Sequence, residues 1–95
     1  MVINMKYYEI NLSGRVQGVG FRYYIYRLAN NYGIKGYVKN LPNGDVLIIA
    51  GCNDKETFDE FMQQVHSGPS FARVTNIQIK NMENVEEFTG FNIKY

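Results

Sequence analysis

The residues best placed for chemistry lie in one stretch, Gly14-Arg15-Val16-Gln17-Gly18-Val19-Gly20-Phe21-Arg22. It starts where an alternating strand ends and leads directly into an amphipathic helix. Glycine accepts positive φ without steric cost, so Gly14, Gly18 and Gly20 let the backbone curl. A curled loop that opens a helix aims several N–H groups at one point, which makes a seat for an anion. Arg22 then falls in the first helical turn, where its charge opposes the helix dipole. A bound phosphate would remove that conflict, and a guanidinium can hold two phosphate oxygens at once. For the glycines alone, a tight strand-to-helix turn is the alternative reading.

Other chemistries fit less well. No Lys-Ser or Lys-Thr pair follows Gly20, so this is not a Walker loop. Tyr23 stands where a dinucleotide fingerprint needs its third glycine, and the second strand offers no acidic residue for a ribose. No serine, histidine and aspartate set has a workable arrangement, and no carboxylate adjoins the loop. The single histidine, His66, falls at the far end of the second helix and reads as a helix-end residue. The single cysteine, Cys52, excludes an intramolecular disulfide and any Cys-x-x-Cys metal or redox site. It reads as a small apolar residue at a strand end.

The elements that must position the loop follow from periodicity. Tyr8, Ile10 and Leu12 alternate with Glu9, Asn11 and Ser13, which is a strand with one buried face. Phe21, Tyr24, Ile25, Leu28, Ala29 and Tyr32 form one apolar helix face, and Gly33 closes that helix. A second strand over 34–41 leads through Pro42-Asn43-Gly44 into the apolar run 46–50. The pair reads as a hairpin whose second strand is central and covered on both faces. Asn53-Asp54-Lys55-Glu56 opens a second helix with the pattern of a capping box. Phe58, Phe61, Met62 and Val65 are its apolar stripe, and Gly68-Pro69 ends it. A strand over 74–80 follows, then an acidic loop at Glu83, Glu86 and Glu87. Phe91, Ile93 and Tyr95 alternate as a short terminal strand. The order is βαββαβ plus that strand, an α+β chain. It predicts a ferredoxin-like split βαβ sandwich, with two helices on one face of a mainly antiparallel sheet.

Bulk properties set the frame. The 95 residues form one domain, 1–95, able to bury roughly 60–70% of its unfolded surface. Apolar residues make up 45% and aromatic residues 15%, the composition of a folded protein. A net charge of +1 supplies no global field for nucleic acid or membrane. Residues 1–6 lack a basic segment leading into a long apolar run, so no signal peptide is expected there. No apolar run is long enough to cross a bilayer. The expected setting is soluble, reducing and cytoplasmic.

With these residues in view, the chain resembles the acylphosphatase family. The stretch from Gly14 to Arg22 is similar to that family's signature. Gly36-Tyr37-Val38-Lys39-Asn40 with Gly44 resembles its second block, and Gly90-Phe91 with Lys94-Tyr95 its ending. Tyr37 and Lys39 stand where tryptophan and arginine are frequent in the family. Gly20 stands where a residue with a side chain is the alternative. The resemblance implies hydrolysis of an acyl phosphate to a carboxylate and inorganic phosphate, by a monomer, without metal or cofactor. It implies that Arg22 is catalytic and binds the phosphate. It implies that the backbone amides of Arg15, Val16, Gln17, Gly18, Val19 and Gly20 cradle that phosphate, and that Asn40 orients the attacking water. The chemistry is coherent: a carboxylate leaving group with a pKa of about 4 needs no general acid. Phosphoryl transfer can proceed by positioning and charge stabilisation alone.

Two other classes share features with the chain. RNA-recognition domains have this element order and place aromatics on the open sheet face, and Lys35-Gly36-Tyr37 resembles the start of their consensus. Lys39, however, stands where their next aromatic belongs, and the charge is near neutral. A non-catalytic anion-binding module would keep the loop and Arg22 but have no use for Asn40.

Overall fold

A computed structural model describes residues 5–83 and 85–95. The expected absence of a signal peptide concerns residues 1–6, of which 1–4 lie outside the described residues. The elements are β1 (Lys6–Arg15), α1 (Phe21–Tyr32), β2 (Lys35–Asn40), β3 (Val46–Cys52), α2 (Lys55–Ser67), β4 (Arg73–Met82) and β5 (Phe91–Lys94). The sheet order is β4-β1-β3-β2-β5, and only the β2–β5 pairing is parallel. This is the α+β sandwich expected from the periodicities. No helix among the described residues is long and apolar enough to cross a membrane.

The strand alternation explains the core. In β1, Tyr8, Ile10 and Leu12 turn toward the helices. In β2 Val38 does so, and in β3 Val46, Ile48 and Ala50. They meet Phe21, Ile25 and Ala29 of α1 and Phe58, Phe61 and Val65 of α2 in one buried cluster. Ile10, Leu12, Ile25, Ile48 and Phe61 are wholly buried, and each such side chain contributes about 1.5–3 kcal/mol. The Tyr8 and Phe58 rings stack with centroids 3.9 Å apart, which fastens α2 to β1.

β3 is central and covered on both faces, as its continuous apolar run requires. On the face away from the helices, Ile49 and Tyr7 are buried. Phe88 packs against both Tyr7 and Tyr37, with centroids 5.8 Å away in each case. The Lys94 ammonium caps the Tyr37 ring at 4.0 Å. Tyr37 is thus engaged within the protein and offers no open stacking platform for a base.

Boundaries differ from the sequence reading: β2 is 35–40 rather than 34–41, and β3 runs two residues further, to Cys52. β1 runs on through Gly14 and Arg15, which pair with Val74 and Arg73 after a register shift at Ser13/Gly14. β4 is correspondingly longer than 74–80. The second helix is capped by Asp54 rather than by an Asn53–Glu56 box. The Asp54 carboxylate accepts a 2.7 Å hydrogen bond from the Thr57 N–H. A carboxylate facing the positive helix end is favoured there, and Glu56 falls one position too early to close a box.

Candidate active site

The glycine loop bridges the end of β1 and the start of α1. Val16 is buried and anchors it in the core, and Val19 packs against the same cluster. Gly18 and Gly20 have φ of 73° and 78°. A side chain at either would meet nothing within 4 Å, so backbone conformation, not space, demands glycine. Gly20 is also the N-cap of α1 and supplies no side-chain hydrogen bond. The first turn of α1 carries no acidic residue. Among the described residues, no N–H of 16–20 donates to a protein acceptor. Backbone donors and the positive end of a helix dipole therefore converge there without an internal partner.

Two side chains complete the cleft. Arg22 is the second residue of α1; its guanidinium carbon lies 4.8 Å from the centroid of the Tyr95 ring. It makes no ion pair among the described residues. Asn40 is the last residue of β2, on the same strand face as the wholly buried Val38. Its Oδ1 is buried and has no hydrogen-bond partner among the described residues. Buried polar atoms are nearly always paired, so an unpaired one on a residue that lines a cleft calls for an incoming donor. Val16, Gly18, Gly20, Arg22, Asn40 and Tyr95 all line one cleft of about 230 Å³. Phe21, Tyr23 and Ile93 contribute to its walls.

The remaining residues singled out from sequence do not line the cleft. Arg15 ends β1 opposite Arg73. Val19 faces the core. The Gln17 side chain leaves the cleft and donates from Nε2 to the carbonyl oxygens of Leu41 and Asp45, at 2.8 and 2.7 Å. The Asn11 side chain holds the Asp45 carboxylate at 2.7 Å, which steadies the same turn. His66 is exposed in the last turn of α2. Cys52 is buried, and burial with the nearby Asp54 carboxylate pushes its thiol up to about 12. It is therefore no nucleophile at neutral pH. Tyr95 and Tyr23 had no assigned role from sequence. Tyr95 reaches the cleft because β5 pairs in parallel with β2, next to Asn40.

Comparisons with known proteins agree with this geometry. The acylphosphatase family model matches residues 8–93. The acylphosphatase of Archaeoglobus fulgidus is 48% identical over 87 residues, covering 92% of this chain and 96% of that one. The acylphosphatase of Oceanobacillus iheyensis is 41% identical, covering 96% of this chain and 100% of that one. The crystal structure of acylphosphatase from Bacillus subtilis superposes with a TM-score of 0.90 at 36% identity, covering 96% of this chain and 100% of that one. Fold, motif spacing and relatives thus converge, and the chain belongs to the acylphosphatase family.

Proposed function

We propose that the protein hydrolyses acyl phosphates to a carboxylate and inorganic phosphate. One observation carries the reading: Asn40, whose buried Oδ1 has no hydrogen-bond partner among the described residues, lines the same cleft as the glycine loop and Arg22. In this mechanism the N–H groups from Arg15 to Gly20, with the Arg22 guanidinium, hold the phosphoryl oxygens. Asn40 Oδ1 accepts a hydrogen bond from a water and aims its lone pair at phosphorus. The water oxygen bonds to phosphorus as the bond from phosphorus to the acyl oxygen breaks. The carboxylate leaves with that electron pair, and the water's proton passes to a phosphate oxygen. Charge redistributing over the equatorial oxygens is met by donors already in place, the largest source of catalysis in such sites.

The reading needs no metal, and no group of three or more His, Cys, Asp or Glu side chains suited to one occurs among the described residues. We read the protein as a monomer, with its single buried thiol suited to a reducing compartment such as the cytoplasm. The test is hydrolysis of acetyl phosphate and benzoyl phosphate, with and without EDTA, against p-nitrophenyl phosphate as control. Turnover of the acyl phosphates alone, unaffected by chelator, is expected. Turnover of the monoester at a similar rate would indicate a general phosphatase. Turnover of none would leave an anion-binding module.

A further inference from the structure

A second groove, of about 400 Å³, shares Gly20 and Tyr23 with the cleft and continues along α1. Beyond Tyr23 it is bounded by Arg27, Leu28, Asn31 and Pro69. Tyr23, Arg27 and Asn31 recur at i, i+4 and i+8, so they form one row on the helix, rising about 6 Å per step. Apolar surface from Leu28, Pro69 and the Tyr23 ring thus leads from the cleft to a guanidinium and an amide. Arg27 is exposed at the groove's edge and has neither an ion pair nor an aromatic partner among the described residues. α1 contains no acidic residue to neutralise it.

The reaction geometry gives the groove an occupant. In-line displacement sends the leaving carboxylate away from the attacking water. With the water on the buried Oδ1 of Asn40, the acyl group departs toward the mouth, where Tyr23 is 60% exposed. The row then carries the acyl group toward Arg27, which lies five residues beyond Arg22, about 7.5 Å along the helix axis.

We propose that this groove binds the acyl portion of the substrate, and that Arg27, assisted by Asn31, selects acyl phosphates bearing a second carboxylate. The proposal rests on the acyl phosphate reading above. A bidentate guanidinium–carboxylate contact supplies the selection, and the apolar floor accepts the carbon skeleton between the two anions.

The test compares two non-hydrolysable probes, benzoylphosphonate and 4-carboxybenzoylphosphonate, by calorimetric titration. It also measures turnover of benzoyl phosphate and 4-carboxybenzoyl phosphate. The unmodified protein should bind the carboxylated phosphonate about tenfold more tightly. Arg27→Gln should abolish that preference while binding inorganic phosphate as before, and should raise KM for the carboxylated substrate at unchanged kcat. Arg27→Lys should keep part of the preference. Equal affinity for the two phosphonates, or a preference that survives Arg27→Gln, overturns the subsite. The phosphonates are read without turnover. Absence of benzoyl phosphate hydrolysis with phosphonate binding intact therefore overturns the hydrolase reading, distinguishably from failure of the groove to bind.

Discussion

Gln17 reaches across the sequence to Leu41: its Nε2 donates to the Leu41 carbonyl at 2.8 Å, one residue past Asn40. The same nitrogen donates to the Asp45 carbonyl at 2.7 Å. The loop that carries the backbone donors is thereby tied to the strand end that carries Asn40. Both carbonyls also accept backbone bonds, from Gly44 and Leu41, so neither is orphaned when Gln17 is removed. Gln17→Ala should therefore cost only about 1–2 kcal/mol of stability. Its larger effect should be on geometry. Inorganic phosphate affinity should fall several-fold and KM should rise, because loop and Asn40 are no longer held in register. Unchanged kcat/KM in Gln17→Ala would show that the loop holds its shape without this tie.

Among the described residues Arg22 has no carboxylate partner, and the Tyr95 ring lies against its guanidinium. Its removal should barely affect folding. Arg22→Ala should abolish both phosphate binding and turnover. Arg22→Lys should fail nearly as badly, because a point charge cannot present two parallel donors to a phosphate. Phosphate titration and acetyl phosphate turnover decide this. Near-normal activity in either variant would remove Arg22 from the mechanism.

Gly20 stands where the alternative is a residue with a side chain, which would stiffen the loop backbone. Its φ of 78° reverses that argument. A residue with a Cβ pays about 1–2 kcal/mol in the left-handed region, although the space around Gly20 is open. Gly20→Ala should therefore lower Tm and weaken phosphate binding, and Gly20→Asn should do so less, because asparagine tolerates that conformation. A Gly20→Ala variant as stable as the parent would mean that the loop readjusts freely.

The elements and the place of Arg22 beside the loop were legible because they rest on local pattern, whereas Asn40 was singled out only through the family resemblance. Period-two and period-3.6 spacing in 8–13, 21–32 and 58–65 set strands and helices, and the glycine loop announced itself by composition. What escaped was non-local or shared between equivalent neighbours. Tyr95 enters the cleft only through the parallel β2–β5 pairing, and nothing in 91–95 specifies a partner strand. Gln17 bonds to backbone carbonyls, which are the same at every residue and leave no trace in sequence. Asn53 and Asp54 are both good caps, and the choice fell to whichever carboxylate or amide met the Thr57 N–H. The bulge at Ser13/Gly14 drew Gly14 and Arg15 out of the loop and into β1.

Asp54 gives a pH-dependent prediction. The Thr57 hydrogen bonds hold its carboxyl below the usual 3.8 in the folded state. The unfolded chain thus binds its proton more readily. The cap's contribution is fully present above pH 4 and is lost as pH falls through the lower folded value. Asp54→Ala should lower Tm by about 5 °C at neutral pH. That difference should narrow toward acid, whereas Asp54→Asn, which caps without a charge, should show no such narrowing. Thermal melts of the three proteins between pH 2 and pH 7 check this, and a gap that stays constant would contradict it.

Asn40 separates catalysis from stability more sharply than any other position. Its Oδ1 is buried without a partner, a state that carries a desolvation cost in the resting protein. Asn40→Ala removes that cost and opens onto the cleft rather than leaving a sealed void, so Tm should hold or rise. Turnover should nevertheless fall by about 10² or more, the scale for losing one positioned group. Inorganic phosphate should still bind, because the loop donors and Arg22 are intact. Asn40→Asp keeps an acceptor at the same place but adds a negative charge beside the phosphate, so it should weaken phosphate binding as well. A stable, phosphate-binding, inactive Asn40→Ala protein is what a water-orienting role requires. Loss of phosphate binding in that variant would instead make Asn40 a ligand of the phosphate, and loss of Tm would make it structural.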